Sequence, residues 1–261
     1  MSHPFAKQRS GRGAVRPSPI FLLVVAIAIG GGVLAWGADL DSTRAKVGVF
    51  TLVVAGWIVS LCLHEFAHAF IAWRAGDHEV ELRGYLTLNP LKYSHPLLSI
   101  VLPIVFIALG GIGLPGGAVY VHSHNFSARV QRLISGAGPA VNALCAVLLL
   151  VIVRVFGSGS SHAAFWFGLS FLAFLQVTAA LLNILPIPGL DGYGVLEPSL
   201  SYQTRRSLDQ FKPFGMLVLF ALLFTPAINE VFFDAVYALF ELSGVPREWS
   251  SFGNYLTRFW L

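Results

Sequence analysis

Charged residues are scarce in this chain of 261 residues, at 11% of the total, whereas soluble domains carry about 25%. Because 56% of the residues are hydrophobic, this shortage excludes an ordinary water-soluble domain and predicts an integral membrane protein whose surface faces lipid. The formal net charge of +4 does not indicate nucleic-acid binding, since Lys and Arg lie between apolar runs and form no stripe interleaved with aromatic side chains.

Cysteine is almost absent as well. The two cysteines, Cys62 and Cys145, both lie in apolar segments, so their spacing supports neither a disulfide framework nor a cysteine metal site. We interpret both as small buried hydrophobic residues.

The first part of the chain predicts a tail and a membrane helix. Residues 1–18 carry four basic residues and no acidic one, and little that can form a core, which is typical of a flexible cytosolic tail. Residues 19–36 are uncharged and apolar, close to the roughly 20 residues that cross a bilayer. A cleaved signal peptide is the alternative, but the apolar stretch is long for one.

The second apolar run, residues 47–73, contains an H-E-x-x-H motif, and His64, Glu65 and His68 are its only acidic or basic side chains. A carboxylate at this depth costs about 2.5 to 3.5 kcal/mol on insertion scales, so Glu65 requires a metal, a partner or a water-filled cavity. His64 and His68 lie one helical turn apart and can reach the same ion. This chemistry suits Zn²⁺, which in hydrolytic sites takes three protein ligands and a water molecule.

Further apolar runs predict helices over 135–156 and 164–185, and a last apolar segment begins near residue 214. The alternating pattern of 80–88 favours a short strand. The proline- and glycine-containing segment 96–115 either crosses the membrane or forms a re-entrant or surface hairpin. The expected fold is an all-α polytopic membrane protein with five to six transmembrane helices.

Four regions are expected along the chain, with no internal repeat and no room for a separate soluble domain. They are the tail 1–18, the first transmembrane helix with its outer loop 19–46, a catalytic membrane core 47–195, and a C-terminal loop with one or more membrane helices 196–261.

Asp191 is the acidic residue best placed, apart from Glu65, to complete a metal site. It follows a segment in which Pro186 and Pro188 cannot continue a regular helix. Non-helical backbone at membrane depth is tolerated only where it lines a cavity or is enclosed by protein. If the site is tetrahedral, the ligand atoms are expected about 3 to 4 Å apart.

The direction of the helices follows from the same hypothesis. For Asp191 to meet the two histidines, helix 164–185 must run parallel to helix 47–73, so an odd number of crossings separates them and 96–115 does not cross. Most basic residues then lie on the side of the tail, which predicts a cytosolic N-terminus, five crossings and a site toward the cytosolic half. Twelve of the seventeen basic residues lie there: Lys7, Arg9, Arg12, Arg16, Arg74, Arg83, Lys92, Arg129, Arg132, Arg205, Arg206 and Lys212.

Three segments carry a family resemblance: the H-E-x-x-H of 64–68, the sequence G-P-A-V-N at 138–142, and the sequence N-I-L-P-I-P-G-L-D-G at 183–192. Over about residues 47–195 the chain resembles the site-2 protease family of intramembrane zinc metalloproteases (peptidase family M50), in its compact bacterial branch without PDZ or CBS domains. The resemblance implies one Zn²⁺ held by His64, His68 and Asp191, Glu65 as the general base, and Asn142 and Asn183 near the bound peptide.

The function implied is hydrolysis of a peptide bond within or near a transmembrane segment of a membrane-protein substrate in a bacterial cell membrane, with release of a cytosolic regulator. The alternative is a metal-binding transporter or scaffold without protease activity, which has no need of a base at Glu65. The substrate and the oligomeric state stay open. His122 and His124 depart from the proline-rich approach of this branch; an exposed loop pair is expected, with a local metal or pH-sensing role as the alternative.

Overall fold

The computed structural model describes residues 15–93, 101–108, 111 and 126–260. All regular structure in these ranges is helical, which confirms the prediction of an all-α protein. The α-helices are α1 (Pro19–Trp36), α2 (Thr43–Ala75), α3 (Glu79–Leu82), α4 (Leu102–Ala108), α5 (Ala128–Phe156), α6 (Ala163–Ile184), α7 (Asp191–Leu196), α8 (Tyr202–Asp209), α9 (Gly215–Leu223), α10 (Pro226–Glu241) and α11 (Arg247–Leu256).

Within the described part of the chain, four helices are long and apolar enough to cross a membrane: α1, α2, α5 and α6. A fifth span results if the bent pair of α9 and α10 is counted as one. Helix α6 is buried along most of its length and forms the centre of the bundle, whereas most of α1 is exposed on its outside. The protein is therefore a polytopic membrane protein built around α6.

Helix α2 is longer than the apolar run that predicts it, because polar caps extend both ends. The Ser42 hydroxyl accepts a hydrogen bond from the backbone N–H of Ala45 at 3.1 Å. Gly76 ends the helix in the left-handed conformation, with a φ of 110°. The resulting 33 residues span about 50 Å.

The long helices alternate in direction up to α6. Helices α1 and α2 are in backbone contact, since a Cβ at Gly48 would lie 2.7 Å from the backbone nitrogen of Ala35. Helix α5 runs against α2, while α6 runs parallel to it. The start of α1 therefore lies at the same end of the bundle as the end of α2, and the backbone N–H of Ser18 donates to the carbonyl of Thr87 at 2.8 Å.

The strand predicted for 80–88 is wrong. These residues form the short helix α3 and a 3₁₀ turn at Tyr85–Thr87. Val80 is fully buried while Leu82 is 87% exposed, whereas a half-buried strand would place both on one face. The Asp77 carboxylate accepts a hydrogen bond at 3.0 Å from the N–H of Glu79, the first residue of α3.

The last apolar segment is broken. The helical stretch Lys212–Leu223 and helix α10 meet at an angle of 92°. Pro226 explains the break, because the residue before a proline is biased away from helical geometry, and Thr225 has the extended ψ of 113°.

Several predictions lie wholly or partly outside the described residues. Of the N-terminal tail only its last residues are described, and of the segment 96–115 only 101–108 and 111. His122 and His124 also lie outside the described residues. Between α2 and α6, α5 is the one full-length helix in the part that is described.

Candidate metal centre

Two imidazoles meet on one face of α2. His64 and His68 are separated by one helical turn, and their Nε2 atoms lie 3.1 Å apart. Both side chains are buried. The helix therefore presents two nitrogen atoms to one point, as the H-E-x-x-H spacing predicts.

The third group comes from the broken end of α6. The chain leaves helical geometry after Ile184 and re-enters it at Asp191, the first residue of α7. One carboxylate oxygen of Asp191, Oδ2, lies 3.2 Å from Nε2 of His64 and 3.4 Å from Nε2 of His68. These separations fall in the range expected for ligands of one tetrahedral ion with bonds of about 2 Å. The three residues form a group that can hold one metal ion.

Hydrogen bonds on the far side of each ring determine its tautomer. Nδ1 of His64 lies 2.6 Å from the Asn142 amide oxygen, and Nδ1 of His68 lies 2.6 Å from the backbone carbonyl of Ile134. Because both partners are acceptors, both Nδ1 atoms carry the hydrogen and both Nε2 atoms present a lone pair. Two lone pairs and a carboxylate oxygen thus converge, which is the arrangement of electron-rich atoms that a metal cation binds.

The same conclusion follows from the unsatisfied oxygen of Asp191. Its Oδ2 atom is buried and has no hydrogen-bond partner in the described residues. A buried carboxylate oxygen without a partner is costly unless a cation or proton compensates it. The donor set, two imidazoles and a carboxylate, is the set that zinc takes in hydrolytic enzymes.

Gly138 leaves the space that an ion needs. A Cβ at this position would lie 2.5 Å from Nε2 of His64 and closer still to Nε2 of His68. Zn–N bonds are about 2.0 to 2.1 Å long, so a methyl group here would occupy much of the space between the two nitrogens. The residues present therefore fit a zinc ion in both donor chemistry and room.

Glu65 lies beside this group in a buried position. Its side chain is 2% exposed, and its Oε1 atom lies 4.0 Å from Nε2 of His64. It is too far from that nitrogen for a direct hydrogen bond, yet close enough to contact a water molecule bound next to the imidazoles. The geometry suits a carboxylate that exchanges protons with such a water.

The two asparagines differ in what they contact. Asn142 is buried on α5, and both ends of its amide are already engaged, by His64 and by Gln176. Asn183 is buried at the end of α6, eight residues before Asp191 along the chain, and its side chain forms no hydrogen bond within the described ranges. A role for either residue near a bound peptide stays a prediction, and of the two Asn183 has the free amide.

Polar contacts hold α7 in place next to α5. The Arg132 guanidinium donates to the Ser199 hydroxyl at 2.8 Å, just beyond the end of α7. Lys212 forms an ion pair of 2.9 Å with the mostly buried Glu197. The helix that begins with Asp191 is therefore anchored on two sides.

An apolar groove of about 820 Å³ lies between α5, α6, α7 and α10 and passes close to this site. Pro139 and Gly192, which are chain neighbours of Gly138 and Asp191, line its near part. Leu150 and Leu239 line its far part. His64, His68 and Asp191 do not line the groove, which lies on the outer side of α5 beside the site.

Sequence reasoning missed three residues that shape the site: Gly138, Gln176 and Ser60. Gly138 belongs to a segment that was used for the resemblance, but its closeness to the imidazoles depends on how α5 crosses α2. Gln176 and Ser60 carried a usable signal, because a polar side chain in an apolar membrane helix is expensive and usually functional.

Comparison with known proteins finds relatives that are named as zinc metalloproteases. The chain is 59% identical over 250 residues to a Mycolicibacterium smegmatis protein named "Putative zinc metalloprotease Rip2", covering 95% of this chain and 96% of the relative. A Mycobacterium tuberculosis protein of the same name is 54% identical with the same coverage. A Bacillus subtilis protein named "Putative zinc metalloprotease YwhC" is 33% identical over 69% of this chain and 84% of its own length. No family profile and no solved structure matches.

Proposed function

The chain belongs to the site-2 protease-like family of zinc metalloproteases that includes Rip2 and YwhC, and on this premise we propose that it is an intramembrane endopeptidase. His64, His68 and Asp191 hold one zinc ion, and Glu65 acts as the general base. The observation that carries the proposal is the convergence of three ligand atoms, from α2 and α7, inside a bundle of membrane-length helices.

Bound zinc supplies a Lewis acid that polarises the scissile carbonyl and makes water acidic enough to react at neutral pH. Glu65 accepts a proton from the attacking water and then delivers it to the amine nitrogen as the peptide bond breaks. Asn142 and Ile134 hold the imidazoles so that both Nε2 atoms face the ion. Asn183 donates a hydrogen bond to the substrate backbone or to the developing oxyanion.

The substrate in this proposal is the transmembrane segment of another membrane protein. The apolar groove that begins beside Gly192 supports this, since its lining suits an apolar chain. A helical substrate has its backbone carbonyls hydrogen-bonded, so it unwinds locally before attack. The bilayer keeps such a substrate in reach of the site.

Zinc removal tests the proposal. We expect purified protein in detergent to contain one zinc ion, and to cut synthetic single-span peptides within their apolar segment. Chelation with 1,10-phenanthroline should abolish cleavage, and added Zn²⁺ should restore it. Mass spectrometry of the products locates the cut. Cleavage that survives complete zinc removal, or cuts confined to the soluble flanks of the peptides, would contradict the proposal.

The orientation is also proposed: the end of the bundle that carries the site faces the cytosol. Most basic residues lie at this end, which the positive-inside rule assigns to the cytosolic side. The hydrogen bond between Ser18 and Thr87 supports a tail on that same side.

Cysteine labelling measures the orientation. In a variant whose two native cysteines are replaced by alanine, we expect Ser160→Cys, in the turn between α5 and α6, to react with an impermeant maleimide in intact cells. Ser207→Cys, on α8 near the site end, should react only after permeabilisation. Both positions are exposed in the structure. The reverse labelling pattern would refute the proposed orientation.

A further inference from the structure

A line of hydrogen bonds runs from His64 through the bundle and back to its own helix. The Asn142 amide N–H donates to Oε1 of Gln176 at 2.9 Å, and the Gln176 amide N–H donates to the Ser60 hydroxyl at 2.8 Å. The Ser60 hydroxyl in turn donates to the backbone carbonyl of Trp57 at 2.8 Å. The line thus joins α2, α5 and α6.

The donor and acceptor roles along this line of hydrogen bonds follow from its last bond, between Ser60 and Trp57. A backbone carbonyl is only an acceptor, so the hydrogen of Ser60 points to Trp57 and its oxygen accepts from Gln176. The amide nitrogen of Gln176 must therefore face Ser60, and its carbonyl must face Asn142. In consequence the amide nitrogen of Asn142 faces Gln176 and its oxygen faces His64.

The two histidines depend on different kinds of partner. Nδ1 of His68 bonds to the backbone carbonyl of Ile134, which cannot change from acceptor to donor. Nδ1 of His64 bonds to a side-chain amide, which presents a donor instead if it rotates by 180°. A rotated Asn142 would force the hydrogen of His64 onto Nε2, where it blocks the lone pair that the ion requires.

Burial makes the arrangement specific. Gln176 is fully buried in α6, and Asn142 and Ser60 are nearly so. Each of the two amide ends of Gln176 has one partner, so rotating it would place like groups against each other on both sides. A polar chain of this kind in an apolar bundle is costly unless each member is satisfied.

We infer that Gln176 is a positioning residue of the metal site: it fixes the amide orientation of Asn142 and so keeps Nε2 of His64 available as a ligand. Ser60 anchors Gln176 from the other side. This inference rests on the proposed function, because it assumes that His64 binds zinc.

Gln176→Leu, which has a similar size but no polar group, tests the inference. We expect its zinc affinity to fall about 10- to 100-fold, the usual effect of removing a group that orients a ligand. Affinity is measured in detergent by competition with a chelator of known strength. Gln176→Glu, which burial keeps in its neutral protonated form, retains an acceptor for Asn142 and a donor for Ser60, and we expect it to recover most of the loss.

Thr178→Val is the matched control. Thr178 is also fully buried on α6, but its hydroxyl bonds at 2.9 Å to the Phe174 carbonyl of its own helix. Its zinc affinity should equal that of the wild type. The absorption spectrum of the Co²⁺-loaded protein, which reports ligand geometry, should change in Gln176→Leu and stay unchanged in Thr178→Val.

A double variant separates positioning from mere packing. If Gln176 acts through Asn142, then Asn142→Leu combined with Gln176→Leu should bind zinc no more weakly than Asn142→Leu alone. If instead the double variant loses zinc affinity by the product of the two single losses, the two residues act independently and the inference is overturned. If Gln176→Leu does not fold, Ser60→Ala serves instead, with a smaller expected loss in affinity.

The outcomes distinguish this inference from the proposed function. Wild-type protein that binds zinc, together with unchanged affinity and an unchanged Co²⁺ spectrum in Gln176→Leu, would overturn the inference and leave the proposed function standing. Wild-type protein that binds no zinc would overturn both.

Discussion

Replacing Gly138 with alanine is expected to abolish zinc binding at concentrations that saturate the wild type, while the helical bundle still forms. The added methyl group would lie between the Nε2 atoms of His64 and His68, in the space that fits an ion. The rings cannot easily move aside, because Asn142 and Ile134 hold their other nitrogens at 2.6 Å. Zinc content after purification measures the effect, and circular dichroism reports the helical fold.

Gly136→Ala is the matched control, since Gly136 lies two residues earlier on the same helix. A Cβ there would meet only Val195, at an ordinary contact distance of 3.8 Å. Both substitutions raise helix propensity, by about 1 kcal/mol, so a difference between them reports the space at Gly138 rather than the backbone. Full zinc occupancy in Gly138→Ala would show that the ion does not sit between the two imidazoles.

Glu65→Gln should retain zinc and lose activity. The amide has nearly the same shape as the carboxylate, and the three ligand groups stay as they are, so zinc content should not change. The amide cannot accept the proton of the attacking water, and loss of a general base typically costs 10²- to 10⁴-fold in rate. We therefore expect cleavage of a transmembrane peptide to fall at least ~100-fold, or about 2.7 kcal/mol in activation free energy.

Glu248→Gln makes the same change of charge on α11, which packs near the start of α6, opposite the end that carries Asp191. It should cleave and bind zinc as the wild type does. Equal zinc and equal cleavage in Glu65→Gln would rule out this role for Glu65. Zinc binding without any cleavage, in the wild type as well, would favour a metal-binding transporter or scaffold on the same fold.

The three residues that the structure brings together, His64, His68 and Asp191, could be identified from the sequence because each lies in a recognisable local pattern. His64 and His68 have helical spacing inside an apolar run, and Asp191 follows a helix end broken by prolines. Their meeting required one further step, the parallel direction of two helices, which the three-ligand hypothesis itself demands and which then limits the number of crossings between them. Each step depends on short-range pattern or on topology, and neither needs atomic packing.

The remaining features of the site depend on how the helices pack, which the sequence pattern does not determine. The role of Gly138 depends on the distance at which α5 crosses α2, and that of Gln176 on the rotation of α6 about its axis. The 80–88 segment alternates as a strand would, but the hydrogen bond from the Glu79 N–H to Asp77 and the lack of a neighbouring strand in the described residues favour a helix. The 92° bend before α10 had a sequence signal in Pro226, which alone does not give an angle.

The distance along the chain between the ligands sets an order of events during synthesis. Asp191 follows His68 by 123 residues, and α6 must insert parallel to α2 before the two can meet. At 5 to 20 residues per second, the ribosome needs about 6 to 25 s to make that stretch. Throughout this interval the two histidines of α2 lack the third member of the group, Asp191. The complete three-residue group can therefore form only after α6 and the start of α7 have been made.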